Sequence, residues 1–176
     1  MMRYIVSLIL LFLFLSTVAN AVNLVPQTCS KIAQSEPNVK YDFCVKALGS
    51  DPRSSTASLE ELAEISFKLT ISKAKSISKL IGNLLKNPKF DPFQKNALEA
   101  CQELYADVPE DMDSGLKALK ERDFNTANVE VSGVITSADT CEDGFRERKE
   151  FSPWTKQNSD FMELTDISLV FTNLLK

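Results

Sequence analysis

Histidine is absent from all 176 residues of the sequence. Its absence excludes Ser-His-Asp and Cys-His catalytic groups, and also zinc and di-iron sites with histidine ligands. No side chain of this chain has an unperturbed pKa between pH 5 and 8, so a sharp pH dependence of its function there would come from a partner or from a carboxyl group with a raised pKa. Glycine is scarce, with five residues, whereas alanine, leucine, lysine and glutamate recur. This composition is typical of helical proteins.

The charge balance gives little reason to expect a polyanionic partner. The chain has 24 acidic and 20 basic residues, a net charge of −4. Nucleic acids and anionic membranes attract basic surfaces, so neither is expected as the main partner. The sequence also has no Asn-x-Ser/Thr sequon, and so no N-glycosylation is predicted.

One long apolar run lies close to the N-terminus. It extends from Ile5 to Leu15, follows a short basic start and precedes the small residues Ala19-Asn20-Ala21. This order is typical of a secretory signal peptide, and the run of about 11 residues is shorter than the roughly 20 that span a bilayer. We therefore expect residues 1–21 to be a signal peptide and the mature chain, without a membrane anchor, to begin at Val22.

Four later segments repeat apolar residues at three- and four-residue spacing, which predicts amphipathic helices. The first follows a capping box at 58–61, and the second follows Asp91-Pro92, where aspartate caps the helix and proline takes its first position. The third and fourth follow interruptions at 121–125 and 152–153. Long amphipathic segments joined by short loops indicate an all-α fold, an up-down-up-down four-helix bundle.

Two places depart from the regular bundle pattern. Residues 22–52 are expected to form a helical hairpin with a turn at Pro37-Asn38, in one domain with the bundle of residues 53–176. Pro109 lies inside the second bundle helix. Because an interior proline costs a helix roughly 3 kcal/mol, we predict a kink or a break near Asp107.

The four cysteines, Cys29, Cys44, Cys101 and Cys141, predict two disulfides, because an even number is typical of secreted proteins with such bonds. Three pairings are possible. Cys101 and Cys141 lie on the inward stripes of the second and third bundle helices, each about 20 residues from the loop that joins them. They would sit at the same height in an antiparallel pair, which favours Cys101–Cys141 and leaves Cys29–Cys44. No C-x2-C spacing suggests a zinc site or a redox-active thiol.

Few other residues suggest chemistry. The carboxylate pairs Glu142 with Asp143 and Asp111 with Asp113 could be compared with glycosidase sites. Both pairs fall on positions predicted to be exposed, so we interpret them as surface charge and expect no metal or cofactor. Phe124, at the tip of a helical hairpin, could anchor in the cleft of a partner. The alternative is that it caps the core of the bundle.

Several stretches together resemble a known family. They contain the four cysteines in order, and they read TCSKIAQSEPNVKYDFCVKALGSDPRS, ALEACQELYADV, SADTCEDGF and ELTDISLVFTNLLK. Through them the chain resembles the plant invertase inhibitor and pectin methylesterase inhibitor family, and it is similar to the tree-pollen allergens within that family. The resemblance covers essentially all of the chain after residue 21.

The resemblance implies a secreted protein of the apoplast, the cell wall or the vacuole. Such a protein would block the active-site cleft of a pectin methylesterase or an acid invertase in a one-to-one complex. The resemblance also implies a four-helix bundle with an N-terminal helical hairpin, and disulfides from the first to the second and the third to the fourth cysteine. If the chain is an allergen, IgE would be a further partner.

The resemblance leaves the target open. Members of the invertase type carry Pro-Lys-Phe between the second and third bundle helices, where this chain has Arg122-Asp123-Phe124. Members of the pectin methylesterase type use helical faces of the bundle. We take Arg122, Asp123 and Phe124 as candidate partner-binding residues. The stretch Pro88-Lys89-Phe90 lies in another loop and receives no role.

Two other classes of function stay open. The first is a non-inhibitory bundle protein, such as a pollen or storage protein or a ligand carrier. A carrier would need an underfilled core, and the dense stripes of leucine, isoleucine and valine argue against one. The second is an enzyme, which the missing histidine and the missing catalytic motifs make the weakest interpretation.

Overall fold

The structure is a computed structural model that describes residues 22–150 and 152–176, so the predicted signal peptide lies outside the described residues. In these two ranges the chain forms helices and no strand. The hairpin consists of α1 (Val25–Ser35) and α2 (Tyr41–Leu48), and a 3-10 turn (Pro52–Thr56) follows it. The bundle consists of α3 (Leu59–Leu84), α4 (Pro92–Lys120), α5 (Phe124–Arg146) and α6 (Thr155–Leu174). This order confirms the predicted all-α four-helix bundle with an N-terminal hairpin.

Two capping boxes fix where α3 and α4 begin. The Ser58 hydroxyl accepts the Glu61 N–H at 3.2 Å, and the Glu61 carboxylate accepts the Ser58 N–H at 2.7 Å. Asp91 and Gln94 make the same two bonds at the start of α4, at 2.9 and 3.2 Å. Each box satisfies two backbone N–H groups that a helix start would otherwise leave unpaired.

The four long helices pack as a ring in which α4 contacts α3 and α5, and α6 contacts α3 and α5. Gly115 allows α4 to approach α5 closely. A Cβ atom there would lie 3.1 Å from Phe67 Cε1 and 3.3 Å from Glu130 Cβ. The largest side chains enclosed in the core are Trp154, Tyr105, Phe67, Phe145, Phe161 and Phe171.

Of the kink or break predicted near Asp107, the break is wrong, because α4 continues through Pro109 as one helix. Tyr105, Val108 and Met112 lie on both sides of the proline and are all buried in the core. Their packing holds both halves of α4 against the bundle. Burial of these side chains therefore outweighs the hydrogen bond that the proline removes.

Both disulfides join neighbouring helices. Cys29–Cys44 links α1 to α2 with 5.6 Å between the Cα atoms, and Cys101–Cys141 links α4 to α5 with 5.0 Å. This is the pairing that the helical spacing favours. Among the described helices, none combines the length and the apolar character that crossing a membrane requires.

Candidate functional site

The turn between α4 and α5 brings the three candidate partner-binding residues together at one end of the bundle. Arg122 has a φ of 60°, which is uncommon for a residue with a side chain. Hydrogen bonds hold this conformation: the Arg122 N–H donates to the Leu119 carbonyl at 3.1 Å, and the Asp123 N–H donates to the Ala118 carbonyl at 2.9 Å. The turn is therefore fixed by the end of α4.

Asp123 is engaged in starting α5. Its carboxylate accepts the Thr126 N–H at 3.1 Å and the Thr126 hydroxyl at 2.7 Å. These bonds, led by the one from the hydroxyl, hold the pKa of Asp123 below its usual value. The residue stays charged and belongs to the helix cap, so its direct role is to position its two neighbours.

Arg122 and Phe124 lie side by side. The Arg122 guanidinium donates to Glu60 Oε1 at 2.6 Å, and its carbon atom lies 5.6 Å from the centre of the Phe124 ring. Phe124 is half-buried and packs against the core. Its ring closes the end of the bundle in part, while Arg122 and Asp123 remain exposed. The turn therefore offers a partner a preformed surface, and Phe124 is not a free aromatic side chain that could insert fully into a cleft.

The outer side of α5 carries no exposed charge between Phe124 and Glu142. We call this surface the neutral face, and it extends for about 23 Å along the helix. Val129 is its largest apolar side chain and is 69% exposed. The residues of the neutral face are Asn125, Thr126, Val129, Ser132, Gly133, Thr136 and Thr140.

The hydroxyl groups of the neutral face bond to their own helix. Ser132 donates to the Asn128 carbonyl at 2.8 Å, Thr136 to the Ser132 carbonyl at 3.1 Å, and Thr140 to the Thr136 carbonyl at 2.8 Å. A partner that covered this face would not leave these donors unpaired. The cost of removing water from the surface is therefore low.

The neighbouring helix α4 has a different surface. Its exposed acidic residues are Glu99, Glu103, Asp107, Glu110 and Asp113. Asp111 is half-buried among them, and burial, followed by Asp107 and Glu110, raises its pKa. A partner that bound both helices would meet an uncharged surface next to an acidic one.

The prediction that Glu142 is exposed is wrong. Its side chain is buried, and its carboxylate accepts hydrogen bonds from the hydroxyls of Ser152 at 2.5 Å and Thr155 at 3.2 Å. The chain enters α6 through these two residues, and this covers Glu142. Asp143 is exposed and forms an ion pair with Arg146 at 3.2 Å. The two carboxylates therefore have different surroundings and do not form a glycosidase pair.

The described residues form no metal site, and Pro88-Lys89-Phe90 does not lie at this end of the bundle. Within 22–150 and 152–176, no three metal-ligating side chains come close enough to hold an ion. Pro88-Lys89-Phe90 lies in the loop before α4, and the Arg122 turn follows the other end of this 29-residue helix. The two loops are therefore about 40 Å apart along the helix axis.

The family model for plant invertase/pectin methylesterase inhibitors matches residues 23–171. The chain belongs to this family. The family is one of enzyme inhibitors rather than of enzymes, which confirms the resemblance seen in the sequence.

Some relatives are named as invertase inhibitors and others as pectinesterase inhibitors. The chain is 46% identical over 166 residues to a "Putative invertase inhibitor" from Platanus acerifolia, covering 94% of this chain and 92% of the relative. It is 34% identical over 175 residues to Pectinesterase inhibitor 12 from Arabidopsis thaliana, covering 99% and 100%. It is also similar to the crystal structure of a pectin methylesterase inhibitor from Arabidopsis thaliana. That similarity has a TM-score of 0.62 at 24% identity, covers 86% and 95% of the two chains, and shows the shared fold.

Proposed function

We propose that this protein is a secreted inhibitor that covers the active-site cleft of a plant pectin methylesterase with the neutral face of α5 and the turn at 122–124. The observation that carries the proposal is the absence of exposed charge along the described length of α5 before Glu142. The centres of protein interfaces are depleted in charged residues, and the neutral face has this property over about 23 Å.

The neutral face alone is too narrow for a stable complex. A specific interface buries about 800 Å² on each partner, which is more than one helix offers. We infer that the remaining area comes from exposed residues of α4, the helix that packs against α5, and from the turn at 122–124. The Cys101–Cys141 bond joins these two helices and limits the conformational freedom lost on binding. Inhibition would then be steric and need no chemistry from the inhibitor.

Pectin methylesterase is the first target because most of the proposed surface is a helical face, with the turn at 122–124 only at its end. The loop has neither the proline nor the lysine of the motif in invertase-type members. A relative named as a pectinesterase inhibitor also aligns with the chain over its whole length. Acid invertase is the second target, supported by the higher identity to the Platanus protein.

The first experiment is a parallel titration of the oxidised protein into a plant pectin methylesterase and an acid invertase, near pH 5. We expect saturable loss of esterase activity, with inhibition that is competitive with pectin. Loss of invertase activity alone would move the assignment to the second target. Loss of neither activity with correctly folded protein would reject the proposed function.

A matched pair of substitutions tests the surface. Ser132 on α5 and Ser76 on α3 are both exposed, and each donates its hydroxyl to the carbonyl four residues earlier. Ser132→Arg places a charge in the neutral face and should raise the inhibition constant about tenfold or more, equivalent to about 1.4 kcal/mol. Ser76→Arg makes the same change on another helix and should leave the inhibition constant nearly unchanged. Equal effects of the two substitutions would contradict the proposed surface.

A further inference from the structure

A polar cavity of about 480 Å³ opens at the other end of α5 from the turn at 122–124. Its walls come from the turn of the N-terminal hairpin, the C-terminal end of α5 and the part of α6 from Thr155 to Asp166. Glu142, in its wall, lies about 27 Å along the helix from Phe124. The volume falls within the range of about 300 to 1,000 Å³ that is usual for small-molecule sites.

Three carboxylates line this cavity, and one of them has no partner. Glu163 accepts the Lys40 N–H at 2.7 Å and lies 3.8 Å from the Lys40 ammonium group. Glu142 accepts the two hydroxyl bonds described above. The Asp166 carboxylate has neither a hydrogen bond nor an ion pair with any described residue, although the residue is only 8% exposed. Its carboxylate borders the cavity.

An unpaired carboxylate in this position is costly, because burial removes water from a charged group without replacing its interactions. Burial, followed by the charges of Glu36, Asp139 and Glu163, raises the pKa of Asp166 to about 6. The surroundings of Asp166 therefore favour either a proton or another positive charge. The cavity gives a small cation access to the carboxylate.

The basic residues near the cavity do not supply this charge. Lys40 is the partner of Glu163, and Arg146 is the partner of Asp143. Glu142 and Asp166 are therefore the two carboxylates of the cavity wall that have no basic side chain within 4 Å among the described residues. Glu142 accepts two hydroxyl bonds, so Asp166 is the carboxylate that a ligand with an ammonium group would complement.

We propose that the cavity binds a small organic ammonium ion, with its ammonium group on the Asp166 carboxylate. A diamine suits the site best, because Glu163 lies one helical turn before Asp166 in the same cavity wall and its charge already acts on Asp166, so a second ammonium group can approach it. The described residues bring together no three ligands for a metal ion, which favours an organic cation that needs one or two carboxylates. The apolar stem of Met162 lines the same cavity and can contact the methylene groups of the ligand.

The test is an NMR titration of the oxidised protein with 1,4-diaminobutane at pH 7.5 and constant ionic strength. We expect saturable shifts of the amide signals of α6 around Asp166, with a millimolar or tighter dissociation constant. Butane-1,4-diol has the same length without the charges and should cause no saturable shift. No saturation up to about 50 mM diamine, or equal binding of the diol, would overturn the proposal.

Two variants separate Asp166 from general charge effects. Asp166→Asn keeps the shape of the side chain and should weaken diamine binding about tenfold or more. Asp107→Asn makes the same change at an exposed position on α4 and should alter binding less than twofold. Unchanged binding by Asp166→Asn, in a protein with an otherwise native spectrum, would also overturn the proposal.

The pH dependence gives an independent readout. Diamine binding should weaken several-fold between pH 7.5 and pH 5, because a protonated Asp166 no longer attracts an ammonium ion. The other charged groups near it are Glu36, Lys40, Asp139, Glu142, Arg146 and Glu163. Asp166→Asn should remove most of this pH dependence, and its full retention would place the titrating group elsewhere and contradict the assignment. The test measures binding of a small ligand to the protein alone, so it does not depend on inhibition of any enzyme.

Discussion

Replacing Asp166 by asparagine should make the protein more stable at neutral pH. The pKa of this carboxyl rises from 3.8 to about 6 in the folded state, mainly through burial. At about 1.36 kcal/mol per pH unit, this rise corresponds to about 3 kcal/mol of destabilisation by the ionised form. The carboxylate borders a cavity that admits water, which screens part of this penalty. We therefore expect Asp166→Asn to raise the free energy of unfolding by about 1 to 2 kcal/mol at pH 7.5.

The gain should depend on pH in one direction. Because the folded-state pKa lies above the unfolded-state value, the folded protein holds the Asp166 proton more tightly. Stability of the unmodified protein then falls as the pH rises from about 4 to about 6, and the penalty is complete above that. The benefit of Asp166→Asn should therefore be present at pH 7.5 and nearly absent at pH 3.5, where the carboxyl is protonated in both states.

Urea unfolding followed by far-ultraviolet circular dichroism measures both free energies. Asp143→Asn is the control, because Asp143 is exposed and its ion pair with Arg146 should contribute at most about 0.5 kcal/mol. The reasoning would be refuted if Asp166→Asn destabilised the protein at pH 7.5. It would also be refuted if the substitution gave the same change in unfolding free energy at pH 7.5 and pH 3.5.

Two further predictions concern stability. Replacing Cys101 and Cys141 by alanine should lower the free energy of unfolding by about 4 kcal/mol, because this disulfide closes a loop of 40 residues. Replacing Cys29 and Cys44 by alanine should lower it by about 3 kcal/mol, because that disulfide closes a loop of only 15 residues. Urea unfolding measures both losses. A larger loss of unfolding free energy for the variant without Cys29–Cys44 would contradict this chain-entropy argument. Pro109→Ala should stabilise the protein by about 1 to 2 kcal/mol, because α4 regains a backbone hydrogen bond. The larger conformational entropy of the unfolded chain without this proline offsets part of the gain. A lower melting temperature for this variant would show that the proline is accommodated without cost.

The helices could be predicted from the sequence because their signals are local. The apolar spacing and the capping residues of α3 and α4 are read within a few positions, and Ser58 and Asp91 cap the two helices as predicted. The prediction of a break at Pro109 failed for the opposite reason. The packing of α4 against the bundle depends on residues distant in sequence, and it keeps the helix intact where local preference predicts a break.

The surfaces were harder to predict than the helices. Charge in the α5 sequence before Glu142 is limited to Glu130 and Asp139, and both are half-buried, so the neutral face leaves a weak signal in the sequence. Burial of Glu142 depends on the chain between α5 and α6, and the cavity near Asp166 depends on where the hairpin docks. These features depend on contacts between parts of the chain that are distant in sequence, so residue spacing within one helix cannot predict them.

The two disulfides each close within one part of the fold, and this affects how the molecule opens. Cys29–Cys44 lies inside the hairpin and Cys101–Cys141 inside the bundle, so no disulfide ties one to the other. The hairpin turn is fastened to α6 by the Lys40 contacts with Glu163 and by packing. Amide hydrogens of α1 and α2 should therefore exchange with solvent through a local opening of lower free energy than global unfolding. The bundle would remain closed, and keep the neutral face intact, while the hairpin detaches and returns.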